Sequence, residues 1–144
     1  MAEAGQGRAP MVVTHEGGLK FVAEVRGHRV ETDQPVRAGG SDSAPMPLEM
    51  VGVALGTCVA LYVQQFCAMR QIPHEGMRVE VQTAGAQGPN RVGLFDVRVV
   101  LPGPVPEQYR EAIDRVARSC PVHNTLMHTP EIVVRVEAEA GAEV

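Results

Sequence analysis

The sequence PLEMVGVALGTCVALYVQQFCAM, from Pro47 to Met69, is apolar at nearly every position. Pro47 suits the first position of a helix, and Glu49 suits the first turn, where negative charge is favoured. Pro73 follows shortly after and disfavours helical geometry at the residue before it. We therefore predict one long helix over this stretch. Because it is apolar nearly all round, we expect it to be buried on all sides.

The apolar run Leu48–Phe66 is close to the length that spans a membrane. Four polar residues interrupt it: Glu49, Thr57, Gln64 and Gln65. We therefore predict a buried helix and no membrane association. A domain of 144 residues has difficulty surrounding such a helix alone, so we expect an obligate homodimer. Gly52 and Gly56 permit close approach of another segment, either a partner copy, which we favour, or the chain's own sheet.

Short segments of alternating polarity surround this helix and indicate β-strands. The predicted strands are Met11–His15, Leu19–Arg26, His28–Thr32, Arg78–Thr83, Val92–Leu101 and Glu131–Glu139. A second helix is predicted from Pro106 to Ser119, and a short helical turn follows Cys120. This order of elements favours the α+β class with antiparallel sheets. We expect a disordered tail over residues 1–9 and one domain over residues 10–144.

The composition excludes several classes of function. The net charge is −4, with no basic block, no Trp, two Tyr and three Phe, so we expect no nucleic-acid partner. The first ten residues are polar and lack the apolar segment of a signal peptide. Three cysteines without an export signal are typical of thiols in a reducing compartment. We therefore expect a cytoplasmic protein.

Two cysteines have unusual surroundings. Cys58 lies within the long apolar helix, and Cys120 lies on the apolar stripe of the second helix, directly before Pro121. One interpretation is that both are inert core residues. However, a kink at Pro121 gives the Cys120 sulfur room to move, which disulfide formation requires. Cys67 lies nine residues after Cys58, on the opposite face of the helix, and is predicted to be structural.

A reactive Cys58 would need a nearby cation, and the candidates are Arg37, Arg26 and Arg29. Glu49 is a candidate to orient that arginine through a charge-assisted pair. Nine residues separate Glu49 from Cys58, which is two and a half helical turns and about 13 Å along the axis. Either the helix begins after Glu49, or Glu49 serves the site of a partner chain. We favour a site built from two chains.

A metal site is a further alternative. Cys58, Cys120 and His123 could bind zinc together with one more ligand. Their spacing matches no closed zinc pattern, and the chain has no Cys-x-x-Cys pair. We therefore expect neither a metal ion nor a bound cofactor.

Two segments resemble the OsmC/Ohr family, the osmotically inducible and organic hydroperoxide resistance proteins. One contains Gly39-Gly-Ser-Asp42, Pro47-Leu-Glu49 and Ala54-Leu-Gly-Thr-Cys58 in succession. The other is Ser119-Cys-Pro-Val-His-Asn-Thr-Leu126. Met50 and Val51 stand where the family usually has leucines. The resemblance implies an intertwined α+β homodimer, with antiparallel sheets packed around long central helices and two sites at the subunit interface.

The same resemblance implies a thiol-dependent peroxidase that reduces organic hydroperoxides. Cys58 corresponds to the peroxidatic cysteine, Cys120 to the resolving cysteine and Glu49 to the active-site glutamate. Arg37 is the best match for the family's arginine, while Arg26 and Arg29 remain candidates. The implied reductant is an external dithiol. Two other functions stay open: a non-enzymatic dimeric module that binds a small apolar ligand, and a slow thiol redox sensor.

Overall fold

A computed structural model describes residues 8–139 of the chain. The strands are β1 (Val12–His15), β2 (Phe21–Val25), β3 (His28–Thr32), β4 (Arg78–Gly85) and β5 (Val92–Val100). The helices are α1 (Pro47–Met69), α2 (Glu107–Ala117) and α3 (Pro121–Met127), and a short 3-10 turn covers Val36–Ala38. Of the expected disordered tail, residues 1–7 lie outside the described part, and residues 8 and 9 belong to no helix or strand.

The strands form two separate antiparallel sheets. β1, β2 and β3 follow one another as a three-stranded meander, and β4 pairs with β5 as a hairpin. The long helix lies between these sheets in the chain, and both shorter helices follow the hairpin. The α+β class with antiparallel pairing is therefore confirmed.

α1 begins where the sequence predicts. Met46 precedes the helix in an extended conformation, and Pro47 occupies its first turn. The Glu49 carboxylate accepts a hydrogen bond of 2.9 Å from the backbone N–H of Met46, which satisfies a donor at the helix start. Glu49 is therefore inside the helix, and the alternative that the helix begins after it is wrong.

One side of α1 forms the core of the domain. Its buried residues pack against the β4–β5 hairpin, α2 and α3. The largely buried apolar side chains of this face are Leu55, Val59, Val63 and Phe66. The described residues 8–139 leave the opposite side uncovered, because Val53 and Leu61 remain 48% and 50% exposed. The expectation of burial on all sides is therefore not met within a single chain.

The two small residues of α1 face the chain's own sheet. A Cβ at Gly52 would lie 3.6 Å from Val81 of β4, and a Cβ at Gly56 would lie 2.9 Å from it. Our preference for a partner copy at these glycines is therefore wrong. Gly56 allows α1 to approach β4 closely, because a Cβ there would overlap Val81, whereas a Cβ at Gly52 would make ordinary van der Waals contact.

α1 is long and apolar enough to cross a membrane by length and composition alone. Core helices of soluble proteins share this property, and α1 supplies most of the buried core residues of this chain. α1 is therefore the core helix of a small soluble domain.

The N-terminal sheet leaves apolar side chains uncovered. It packs mainly within itself and makes no extensive contact with α1. Val12, Val13 and Phe21 are 52%, 62% and 40% exposed. Burial of such side chains is a main source of folding free energy. Among the residues that the structure describes, nothing covers this apolar surface.

The predicted final strand, Glu131–Glu139, is wrong for the single chain. Residues 129–139 form neither helix nor strand, and Ile132, Val134 and Val136 are at least 77% exposed. The alternating pattern is present, but none of the strands within residues 8–139 pairs with the segment. A strand needs a hydrogen-bonded neighbour, so the pattern alone does not produce one.

Candidate active site

The fold brings Cys58 and Cys120 together. Cys58 projects from the middle of α1, and Cys120 directly precedes α3. The Cys58 thiol is close enough to Cys120 to raise the pKa of Cys120, after the larger effect of burial, and both belong to the apolar cluster around the core face of α1. Cys120 is fully buried and Cys58 is partly exposed, and all three cysteines are free thiols. Two cysteines separated by 62 positions in sequence thus form a neighbouring thiol pair.

The position of Cys120 follows from Pro121. The proline disfavours helical geometry at the residue before it, and Cys120 is extended, with φ −67° and ψ 146°. Its sulfur accepts a hydrogen bond of 3.2 Å from the backbone N–H of His123. The predicted kink and the helical turn after it are therefore confirmed, with Cys120 as the N-cap of α3.

Burial raises the pKa of two of the three thiols, Cys120 and Cys67. Burial raises the pKa of Cys120, and the neighbouring Cys58 adds to this effect, while the N–H of His123 opposes it. Burial alone raises the pKa of Cys67, which is fully enclosed in the core. Both groups are held as neutral thiols at neutral pH, because low dielectric disfavours the charged thiolate. The partly exposed Cys58 is the cysteine of the pair that solvent can reach.

Arg37 and Glu49 line a different region. Arg37 projects from the 3-10 turn, Glu49 from the first turn of α1, and both border a cavity of about 780 Å³. Its floor is the α1–β4 contact, including Gly56 and Val81. Within residues 8–139, Arg37 and Glu49 form no ion pair, and Glu49 instead binds the N–H of Met46. The expected arginine–glutamate pair is therefore not formed within the chain.

The four predicted site residues thus form two separate groups. Cys58 and Cys120 lie together at the core face of α1, while Glu49 and Arg37 lie at its first turn. No cysteine borders the cavity that Arg37 and Glu49 line. A single chain therefore does not assemble all four residues in one site.

The other two candidate arginines are placed less favourably. Arg29 pairs with Glu16 at 3.0 Å and with Glu31 at 3.4 Å, on the N-terminal sheet. These carboxylates raise the pKa of Arg29, with the Glu16 hydrogen bond as the main cause. Arg26 occupies the tight turn between β2 and β3, with φ +52°. Neither borders the cavity beside Glu49.

Sequence reasoning missed Asp33 and did not predict the burial of His123. Asp33 is 1% exposed and accepts hydrogen bonds from the loop that follows it. An acidic residue that opens a loop rich in Ser and Gly was the available signal. The Nδ1 atom of His123 is buried and has no hydrogen-bond partner within residues 8–139. The sequence made His123 a candidate zinc ligand because it follows Cys120 by three residues, but no sequence signal indicated that its ring is buried. Across the same residues, no group of three or more His, Cys, Asp or Glu side chains is arranged to hold a metal ion.

Comparison with known proteins identifies the class. The family model described as OsmC-like protein matches residues 40–135, which include both cysteines of the thiol pair. That match covers well over half of the chain, and the chain therefore belongs to the OsmC-like family. No curated protein matches it.

Solved structures show the same fold. One is a Psychrobacter arcticus protein provisionally described as an osmotic stress induced and detoxification response protein, with 23% identity, a TM-score of 0.77, and coverage of 83% of this chain and 89% of that chain. A second is described as an organic hydroperoxide resistance protein OsmC and predicted redox protein from Legionella pneumophila, with 18% identity, a TM-score of 0.53, and coverage of 82% and 89%. A third, from Vibrio cholerae, is an OsmC-like protein of unknown function, with 15% identity, a TM-score of 0.64, and coverage of 81% and 91%. These identities support the OsmC-like fold and no specific activity.

Proposed function

We propose that the protein is a thiol-dependent peroxidase that reduces organic hydroperoxides, with Cys58 as the peroxidatic and Cys120 as the resolving cysteine. The proximity of these two thiols within one apolar cluster is the observation that carries the proposal. The name of the Legionella pneumophila relative, an organic hydroperoxide resistance protein, supports the substrate class.

The reaction uses each thiol once. The Cys58 thiolate attacks one peroxide oxygen, the O–O bond breaks, and the leaving alkoxide takes a proton to become an alcohol. Cys58 is then a sulfenic acid. The Cys120 sulfur attacks the Cys58 sulfur, forming the disulfide and releasing water. An external dithiol reduces this disulfide, returns both thiols and is itself oxidised. The cytoplasm supplies such reductants, and we propose that location.

The pair is suited to these different roles. Cys58 is partly exposed, so a peroxide can reach its sulfur, whereas Cys120 is enclosed. Burial keeps Cys120 protonated and limits its direct reaction with peroxide. Once Cys58 is oxidised, Cys120 is already its neighbour, so disulfide formation requires only local adjustment near the kink at Pro121.

We further propose that the working unit is a homodimer whose sites use residues of both chains. Uncovered apolar residues on α1 and on the N-terminal sheet support association. The separation of Glu49 and Arg37 from the cysteine pair supports a shared site, because the same residues of a second copy can complete it. In such a site Arg37 favours the Cys58 thiolate by its positive charge, and Glu49 orients Arg37.

The decisive experiment is consumption of an organic hydroperoxide by the purified protein with a small dithiol. Cys58→Ser is expected to abolish turnover. Cys120→Ser is expected to accumulate Cys58 sulfenic acid, detected by mass spectrometry as the addition of one oxygen atom. Cys67→Ala is the matched control. It removes the third thiol of the chain, which lies on α1 with Cys58, and should retain turnover. Full activity of Cys58→Ser would contradict the proposal.

One alternative is favoured by a separate observation. The cavity of about 780 Å³ beside Arg37 is lined largely by apolar side chains and contains no cysteine. It would suit a small apolar ligand with an anionic end, as in a non-enzymatic binding module. Absence of turnover, together with thiols that resist mild oxidation, would support this module. Absence of turnover with joint oxidation of Cys58 and Cys120 would support a slow redox sensor.

A further inference from the structure

The loop between β3 and α1 is closed on itself by backbone hydrogen bonds. The N–H of Asp33 donates to the carbonyl of Pro45 at 3.1 Å, which joins the two ends of residues 33–45. The N–H of Asp42 donates to the carbonyl of Gln34 at 3.0 Å and forms a second link inside the first. The loop therefore has a defined path although it contains only one short helical turn.

The Asp33 side chain lies at the centre of this loop. One carboxylate oxygen accepts from the hydroxyls of Ser41 and Ser43, at 2.8 and 2.7 Å, and from their backbone N–H groups, at 3.3 and 3.0 Å. The other oxygen accepts from the N–H of Gln34 at 2.8 Å. These donors, first those of Ser43, hold the pKa of Asp33 far below its usual range. The buried charge is therefore fully hydrogen-bonded.

The bonds of Asp33 enclose the segment that carries Arg37. Gln34 precedes the 3-10 turn, whereas Ser41 and Ser43 follow it, so one carboxylate ties both sides of the turn together. Gly40 completes the closure, because a Cβ there would overlap the carbonyl of Gln34. The path of the turn is thus fixed by one charged group and one position that only glycine fits.

Arg37 itself has no comparable anchor. Its side chain is exposed and forms no ion pair within residues 8–139. Its place beside the cavity depends on the loop backbone, and the loop ends at Met46, whose N–H binds the Glu49 carboxylate. The closed loop therefore sets the position of Arg37 relative to Glu49.

We propose that Asp33 is a positioning residue for the thiol site: its carboxylate clamps residues 33–45 so that Arg37 is presented to Cys58 of the partner subunit. This inference rests on the proposed function in two respects: that the working unit is a homodimer, and that Arg37 favours the Cys58 thiolate across its interface. It adds a residue outside the four predicted ones, held at a distance from the reacting atoms and acting through the loop.

The test is the pH dependence of Cys58 alkylation, measured in a chain that also carries Cys67→Ala and Cys120→Ser. Arg37→Gln is expected to raise the apparent pKa of Cys58 by about one unit. At pH values below that pKa, this change corresponds to roughly tenfold slower alkylation. Asp33→Asn replaces an acceptor with a donor facing serine N–H and O–H groups, so it should open the loop. It is expected to raise the pKa of Cys58 as well.

The direction of the change in the pKa of Cys58 distinguishes displacement of Arg37 from the loss of the Asp33 charge itself. Removing the negative charge of Asp33 would by itself favour the thiolate and lower the pKa of Cys58. A raised pKa therefore requires displacement of Arg37. The combined Asp33→Asn and Arg37→Gln chain should shift no further than Arg37→Gln alone. Ser43→Ala, which removes one hydroxyl donor, is a milder variant and should shift the pKa less in the same direction.

Asp42→Asn is the matched control in the same loop. Its side chain is exposed, and Asn tolerates its positive φ of +55°. The inference is overturned if Asp33→Asn and Ser43→Ala leave the pKa of Cys58 unchanged or lower it, or if Arg37→Gln has no effect. Peroxide turnover by the unaltered protein is measured separately. If the protein shows no turnover but its variants show these pKa shifts, the peroxidase proposal is refuted and the role of Asp33 is retained.

Discussion

Glu49 and Cys58 lie on the same helix, on different sides of it. Glu49 borders the cavity at the first turn of α1, and Cys58 meets Cys120 at the core face. Nine residues place them two and a half turns and about 13 Å apart along the axis. Because the helix begins at Pro47, local unwinding does not bring them together. This separation is why we propose that a second chain supplies Glu49 to the thiol site.

Complementation between two inactive chains is the first prediction. In a heterodimer of Cys58→Ser and Glu49→Gln chains, one site would combine the intact Cys58 with the intact Glu49. We expect recovery of roughly half the activity of the unaltered dimer, because one of two sites is complete. The measurement is peroxide consumption by heterodimers purified through two different affinity tags.

A second heterodimer is the control for this geometry, because it places both changes in residues that meet within one chain. Cys58 and Cys120 meet within one chain. A heterodimer of Cys58→Ser with Cys120→Ser should therefore show no recovery of full turnover. Recovery in this pair, or its absence in the Glu49 pair, would contradict a site divided in the proposed way.

The uncovered side of α1 gives a prediction about assembly. Leu61 is 50% exposed in the single chain, and burying a leucine side chain stabilises by about 1.5–3 kcal/mol. We expect the unaltered protein to be a dimer and Leu61→Asp to be largely monomeric, since a buried unpaired carboxylate is costly. Light scattering after size exclusion measures both. Glu111→Lys, on an exposed position of α2, is the control and should stay dimeric; a dimeric Leu61→Asp would contradict an interface at this side.

The glycines of α1 provide a paired stability prediction. Alanine at position 52 gains up to about 1 kcal/mol in helix propensity and meets Val81 at an ordinary 3.6 Å. Alanine at position 56 gains the same propensity but overlaps the stiff, β-branched Val81 at 2.9 Å, and overpacking costs about 1–3 kcal/mol. We expect Gly52→Ala to be neutral or stabilising and Gly56→Ala to be destabilising in urea unfolding. Equal effects would show that α1 and β4 are not in this register.

These glycines also mark a boundary of what the sequence could predict. The long helix, the meander and the kink at Cys120 follow from local patterns, namely apolar periodicity, alternation and a proline. A glycine in a helix indicates that something approaches closely, but not what approaches. We favoured a partner, whereas the structure places Val81 of the same chain there. The error arose because the identity of a packing neighbour depends on tertiary structure.

The last strand was predicted wrongly and the role of Asp33 was not predicted, for related reasons. Residues 131–139 alternate correctly, yet a strand requires a neighbour, and none of the described strands pairs with them. Asp33 looked like one polar loop residue among many, and its role depends on the path that brings Ser41 and Ser43 back to it. By contrast, Cys58 and Cys120 were found from sequence because a thiol within an apolar helix and a thiol before a proline are both unusual locally.

The Asp33 clamp predicts how stability changes with pH. The pKa of this carboxyl lies well below its usual range in the folded protein, so its ionised form stabilises the fold. That contribution is fully present above the ordinary carboxyl pKa near 4 and declines as pH falls toward the lower folded pKa. We expect the stability difference between the unaltered protein and Asp33→Asn to be largest near neutral pH and to shrink by about pH 3. Urea unfolding at several pH values measures it. Asp42→Asn, which changes an exposed carboxylate of the same loop, should show a small difference at every pH; a difference for Asp33→Asn that is constant with pH would mean that the charge of Asp33 does not hold the loop.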